Sequence, residues 1–209
     1  FTITAKFYGL SNIGGLLVVS SYAGIISIAS TGYLEQLFFI EKRENIRKLS
    51  FVLIFYILLI VLLVSLVFLC FFSISYVVFI LLNVLSSGLI KLISTYNISE
   101  NKILFVSYSK LIFAPLISTI SYLVYLFYGP SEFYLVFIYS ICNLCFSLVF
   151  ALISLNQKSI YFSISDLKKI RSMKAIQQRY FNFVKFSLPG EFLRTAAFKA
   201  PTIVLEKFF

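Results

Sequence analysis

Four long stretches of this chain carry no charged residue, and nothing else in it limits the accessible folds so strongly. They run from Phe7 to Leu34, Leu49 to Ile90, Leu111 to Ser131 and Phe133 to Gln157, which is 28, 42, 21 and 25 residues. A helix of ~20 apolar residues crosses the ~30 Å hydrocarbon core of a bilayer, so each stretch is long enough to span. As one helix the second would measure about 63 Å, twice that core, and must fold back on itself. Ser73-Ile74-Ser75 is the polar spot near its middle where the hairpin is expected. The reading is an all-α membrane protein with five transmembrane helices, at 8–34, 49–70, 74–95, 103–127 and 133–156.

The basic residues give these spans a direction. Lys42, Arg43, Arg47 and Lys48 lie between spans one and two, and Lys91, Lys102 and Lys110 lie in the segment from Lys91 to Lys110 that joins spans three and four and includes their inner ends. Lys158, Lys168, Lys169, Arg171, Lys174, Arg179 and Lys185 follow span five, while the turns at Ser73 and at Tyr128-Gly129-Pro130 hold none. Cytoplasmic loops are enriched in Lys and Arg, so the three loaded segments are expected inside and the two turns outside. The net charge of +10 is then a topology signal and no nucleic-acid partner is expected, since the basic residues have no globular domain to sit on.

Composition points the same way. Charged residues make up 12% of the chain, about half the share in a soluble globule, and mean hydropathy is +0.98. The start at Phe1, without a signal pattern, and the apolar run Pro201-Thr202-Ile203-Val204-Leu205 near the end lead us to expect a piece of a longer protein. Residues 186–209 then begin a sixth, truncated helix, and residues 158–185 connect it to the five-span lobe 1–157. In the connector, apolar positions from Ile160 to Phe183 recur every three or four residues between the basic ones, the pattern of an amphipathic helix. It either lies on anionic membrane lipid or simply fixes topology.

Polar residues inside the spans are few. Cys142 and Cys145 sit a helical turn apart, but with no His in the chain and no carboxylate near the thiols a metal centre is not expected; small-residue packing is. The lack of His also removes the commonest general base, and no cofactor motif is present, so an enzyme is the weaker class of function and no cofactor is expected. Lys91 and Lys110 fall near the inner ends of spans three and four, where they either snorkel to the interface or line a pathway, and Glu35 at the end of span one has the same two readings. Pro115 is expected to kink span four. If 191–206 is helical, Glu191, Arg194, Thr195, Lys199, Thr202 and Glu206 share an arc of about 140° and most of the opposite face is apolar. Such a stripe either faces a cavity or lies at the interface.

Particular residues resemble a family. Tyr180-Phe181-Asn182-Phe183-Val184-Lys185-Phe186-Ser187-Leu188-Pro189, with Pro201 to Leu205 and the Phe208-Phe209 end, is similar to the segment that opens the second half of Wzx-type polysaccharide flippases. Ile28 to Glu35 with Glu41-Lys42 resembles their first cytoplasmic loop, and Asn97 with Lys102 a polar loop after the family's fourth helix. The resemblance covers nearly the whole chain. Tyr33, Leu34, Glu41 and Val184 depart from the family pattern.

It implies the multidrug/oligosaccharide-lipid/polysaccharide exporter superfamily, two six-helix lobes around a cavity, and the bacterial inner membrane. The expected cargo is an undecaprenyl-diphosphate-linked oligosaccharide, with membrane lipids, a polysaccharide polymerase and glycosyltransferases as partners. Arg194 and Lys199 are the candidate cavity cations for the diphosphate, with Lys91 and Lys110 behind them and the coupling ion undefined. The alternatives are a drug or metabolite antiporter of the same fold, which needs an interior carboxylate, and a polymerase or glycosyltransferase subunit, which needs a catalytic cluster that these short loops lack.

The orientation is testable with single Cys probes in a Cys-free background. Probes at Asn45, Asn101 and Ser172 are expected to be shielded from an impermeant thiol reagent in intact cells, and probes at Ser73 and Ser131 to react; the reverse pattern inverts the topology.

Overall fold

A computed structural model describes residues 2–31, 34–39, 43–70, 72–156 and 170–206. Its helices are α1 (Thr2–Thr31), a short 3-10 helix (Leu34–Phe39), α2 (Arg43–Phe68), α3 (Ile74–Ser99), α4 (Ile103–Tyr128), α5 (Glu132–Asn156) and α6 (Ile170–Glu206), with no strand among the described residues. Four segments are long and apolar enough to cross a membrane: Asn12–Thr31, Ile74–Ser99, Ile103–Tyr128 and Glu132–Ser154. In α2 the apolar part, Leu53–Phe68, is shorter.

The hairpin expected at Ser73 is present: α2 ends at Phe68 and α3 starts after Ser73 in extended conformation. α4 continues as helix through Pro115, and within α1 the backbone leaves helical geometry at Gly9, whose φ of 78° and ψ of 160° suit a residue without Cβ. α6 runs as one helix from Ile170 across Pro189 to Glu206, through the boundary expected between the connector and the sixth helix. Residues 157–169 and the side chains of 170–184 lie outside the described residues, and the amphipathic reading of the connector with them.

α1 is the hub. It packs against all five other long helices, and from Asn12 to Thr31 it exposes no residue. α1, α3 and α5 form the inner group, α2 and α4 flank it, and α6 lies along α1. We call the side with the α2–α3 and α4–α5 turns the turn end and the opposite side the basic end. Buried apolar side chains fall into two clusters: Tyr8, Leu16, Val19, Phe79 and Leu135 near the turn end, and Leu37, Phe38, Leu53, Leu92 and Phe150 near the basic end.

The strongest helix pairing, α3 with α5, is held by polar rungs. Asn83 Nδ2 donates to Ser140 Oγ at 2.7 Å and Asn97 Nδ2 to Ser154 Oγ at 2.9 Å, both across an offset of 57 residues. Asn143 Nδ2 adds a bond to Asn83 Oδ1 at 2.9 Å. A constant offset over two heptads, about 21 Å of helix, makes the pair parallel and in register. The same offset places Ile90 opposite Ser147, and Ser140, Ser147 and Ser154 are all buried. At another junction, a Cβ on Gly88 of α3 would lie 3.1 Å from Ser30 Oγ of α1 and 3.2 Å from Ile57 of α2, so three helices approach closely because that residue is glycine.

The polarity of the bundle is inverted relative to a soluble protein. Ser21, Ser27, Ser30, Thr31, Asn83, Asn97 and Ser140 are buried, while Leu104, Leu111 and Phe127 are 70–80% exposed. Many buried hydroxyls are satisfied within their own helix, as Ser30 to the Ser27 carbonyl at 2.7 Å and Thr95 to the Lys91 carbonyl at 2.9 Å.

These contacts set an order of sensitivity. Asn83→Ala is expected to lower stability in mixed micelles by about 1 kcal/mol, the scale of an interhelical hydrogen bond in a membrane bundle. Leu111→Ala, on the exposed face of α4, is expected to change it by less. Equal effects in a reversible denaturation assay would remove the seam from its organising role.

Candidate functional site

The charged side chains of the bundle gather toward the basic end. After α1 the chain turns into the 3-10 helix, whose Leu34, Leu37 and Phe38 are buried against α2 and α3. Glu35 in the same segment is buried completely, and its Oε1 stands 2.7 Å from Lys91 Nζ of α3. Lys91 keeps 29% of its side chain exposed. A carboxylate sealed inside an apolar bundle is costly unless a cation neutralises it, which gives the chain a reason to hold a lysine about 12 Å inside the end of α3. Thr95 and Asn97 lie on the following turns of α3, both buried, and Phe38 meets Tyr96 edge to face.

The second charged pair is on α6. Arg194 Nε donates to Glu191 Oε2 at 2.9 Å and its NH2 group to Oε1 at 2.5 Å, a bidentate fork within one helix. Arg194 is largely exposed and Glu191 much less so. Besides Arg194, Lys91 of α3 contributes to the field at Glu191.

Two turns further along α6, Lys199 lies against α1, where Gly24 leaves room: a Cβ there would stand 3.6 Å from the lysine Cε. α6 therefore runs antiparallel to α1, with Lys199 deeper in the bundle than Glu191. Its polar positions Glu191, Thr195, Lys199 and Thr202 are half-buried, whereas Phe186, Leu193, Phe198 and Val204 are exposed. Most of the arc read from the sequence thus faces α1. Arg194 departs from it, since it points outward and folds back on Glu191; the Glu206 side chain lies outside the described residues.

Of the four candidate cations, Arg194 and Lys199 share α6, and Lys91 is on α3 with Glu35. Lys110 is exposed on α4, in the position of a snorkelling lysine. The three cysteines are unpaired: Cys70 and Cys145 are exposed and Cys142 is half-buried, so two of them do not fill the interior as small-residue packing requires. Among the described residues no group of His, Cys, Asp or Glu has the arrangement of a metal site.

Sequence reasoning missed the depth of Glu35. Hydropathy places it just past the end of span one, and the 3-10 helix that carries it back under α3 has no strong local signal. The Asn/Ser rungs did leave a trace, because Asn83 and Asn97, and Ser140, Ser147 and Ser154, recur at multiples of seven inside apolar segments.

Comparison of the chain with protein-family models, with curated proteins and with solved structures finds no match.

The buried pair yields a double-mutant prediction. Glu35→Ala strands the Lys91 charge and is expected to cost about 2 kcal/mol, below the 3–5 kcal/mol of a fully enclosed pair because Lys91 can reach the interface. Adding Lys91→Met is expected to restore much of that loss in the same denaturation assay. Additive losses would show that the two side chains are not coupled.

Proposed function

We propose that this chain is the first lobe of a flippase that moves a diphosphate-linked oligosaccharide on a lipid carrier across the bacterial inner membrane by alternating access. It is a transporter in this reading, with α2 as the fifth span and the later part of α6 as the start of a sixth. The observation that carries it is the orientation of α6, which packs mainly on α1 with Glu191, Thr195, Lys199 and Thr202 half-buried and Phe186, Phe192, Leu193, Phe198 and Val204 exposed.

The chemistry follows from that seam. An amphiphilic cargo needs a polar slot for sugar and diphosphate beside an opening to hydrocarbon for its tail. The α1–α6 seam combines Lys199, the hydroxyls of Thr195 and Thr202 and the small Gly24 with an exterior of exposed apolar side chains. Displacement of α6 from α1 would free the Lys199 ammonium for a phosphate oxygen, and Arg194 lies one to two turns closer to the basic end. Its guanidinium must exchange Glu191 for the cargo, so Arg194 is a switching contact and Lys199 the more available cation. The resemblance to polysaccharide flippases supports the same cargo and gives the polymerase and glycosyltransferases as the chain's functional partners.

A drug or metabolite antiporter is favoured by one observation, the completely buried Glu35, which supplies the interior carboxylate that ion-coupled exchange requires.

The test uses the intact protein in cells that depend on it for surface polysaccharide. Lys199→Ala and Arg194→Ala are expected to leave membrane abundance near normal, reduce surface polysaccharide and accumulate lipid-linked intermediate on the cytoplasmic side. Arg194→Lys is expected to rescue part of the loss. Normal polysaccharide in the double mutant rejects the flippase role of these cations. Efflux of an organic cation that Glu35→Gln abolishes would favour the antiporter.

A further inference from the structure

The second polar site in the bundle lies at the turn end, away from the cations. Glu132 opens α5 just after the Gly129-Pro130-Ser131 turn, and its carboxylate reaches across to α1 and α3. On α1 it occupies the space where Gly15 has no side chain, since a Cβ there would collide with the carboxylate. On α3 the Tyr76 hydroxyl donates to Glu132 Oε1. A carboxylate offers about four acceptor positions, and this contact uses one. Among the described residues no Lys or Arg is paired with Glu132.

Next to it is a cavity of about 240 Å³ lined by Tyr76, Phe79, Ser131, Glu132, Phe133 and Val136. Its three rings stand at steep angles, Phe79 to Phe133 at 61° with centroids 5.4 Å apart and Tyr76 to Phe79 at 66° and 6.5 Å. Phe133 is half exposed, which leaves one wall accessible from outside the bundle. Ring faces attract cations through their quadrupole, and a carboxylate among several rings selects a diffuse organic cation over a hydrated metal ion.

We propose that the Glu132 cavity binds an organic ammonium group, supplied either by the headgroup of a zwitterionic lipid or by a free amine. The ammonium sits between the Glu132 carboxylate and the Tyr76, Phe79 and Phe133 rings. Gly15 is a positioning residue, because its missing side chain sets where the carboxylate can stand.

The experiment follows the labelling of Ser131→Cys, in an otherwise Cys-free chain, by an uncharged impermeant maleimide. In nanodiscs of phosphatidylglycerol, which has no ammonium, tetramethylammonium chloride is expected to slow labelling while sodium chloride at equal concentration does not. If phosphatidylethanolamine in the disc already slows labelling and tetramethylammonium adds nothing, the lipid headgroup is the occupant. If tetramethylammonium still protects there, the occupant is a free amine. Glu132→Gln and Gly15→Ala are each expected to weaken protection about tenfold, the scale of one charge-assisted contact. Phe133→Leu, at a half-exposed position that tolerates substitution, is expected to weaken it as well. Equal labelling with tetramethylammonium and sodium, together with no effect of phosphatidylethanolamine, overturns the proposal, as does protection that survives Glu132→Gln unchanged.

Discussion

Every polar group inside this bundle has to find its partner within the protein, and the rest of the structure answers to that constraint. Backbone groups are satisfied by long helices, which is the solution open to a chain whose exterior is hydrocarbon-like. Serine and threonine hydroxyls return to carbonyls three or four residues back, as in Ser20, Ser27 and Ser140. Others are satisfied between helices: the Tyr8 hydroxyl of α1 donates to the Ser121 carbonyl of α4, and a set of side-chain bonds pairs α3 with α5. An Asn side chain has more donors and acceptors than its own helix can absorb: Asn83 and Asn97 each give one bond to a carbonyl four residues back and reach a buried serine on α5.

This distribution divides the molecule into parts with different freedom. α1, α3 and α5 are tied by polar rungs, by the close approach at Gly88 and by the Glu132 carboxylate wedged against Gly15. α4 touches the rest through a narrow face, and α6 meets mainly α1, along a seam whose polar residues are only half-buried. A helix joined by a partly hydrated polar face is the easier one to displace, because water or a charged ligand can replace its contacts. The same property makes the α1–α6 seam the natural slot for an amphiphilic cargo in the function we propose.

The ion pair of Glu35 with Lys91 has a different logic. It fastens the 3-10 helix to α3 at the basic end, where the chain passes from α1 to α2. Replacing both residues with apolar ones would relieve the desolvation of two charges, so the pair is weak evidence for stability.

The apolar helices and the hairpin at Ser73 were legible in the sequence, because solvation by hydrocarbon acts residue by residue and leaves charge-free runs of measurable length. The polar arc of α6 was legible too, since a helix repeats every 3.6 residues whatever surrounds it. Which neighbour that arc faces was settled by tertiary structure, as was the exposure of Lys110, the burial of Glu35 and the meeting of Glu132 with Tyr76 and Gly15. Those facts depend on how helices distant in sequence lie side by side, and that arrangement comes from the summed fit of many small contacts. The periodicity of one helix carries no record of its neighbours. The Asn83 and Asn97 rungs stand between the two cases: their spacing was visible, but their meaning required the second helix.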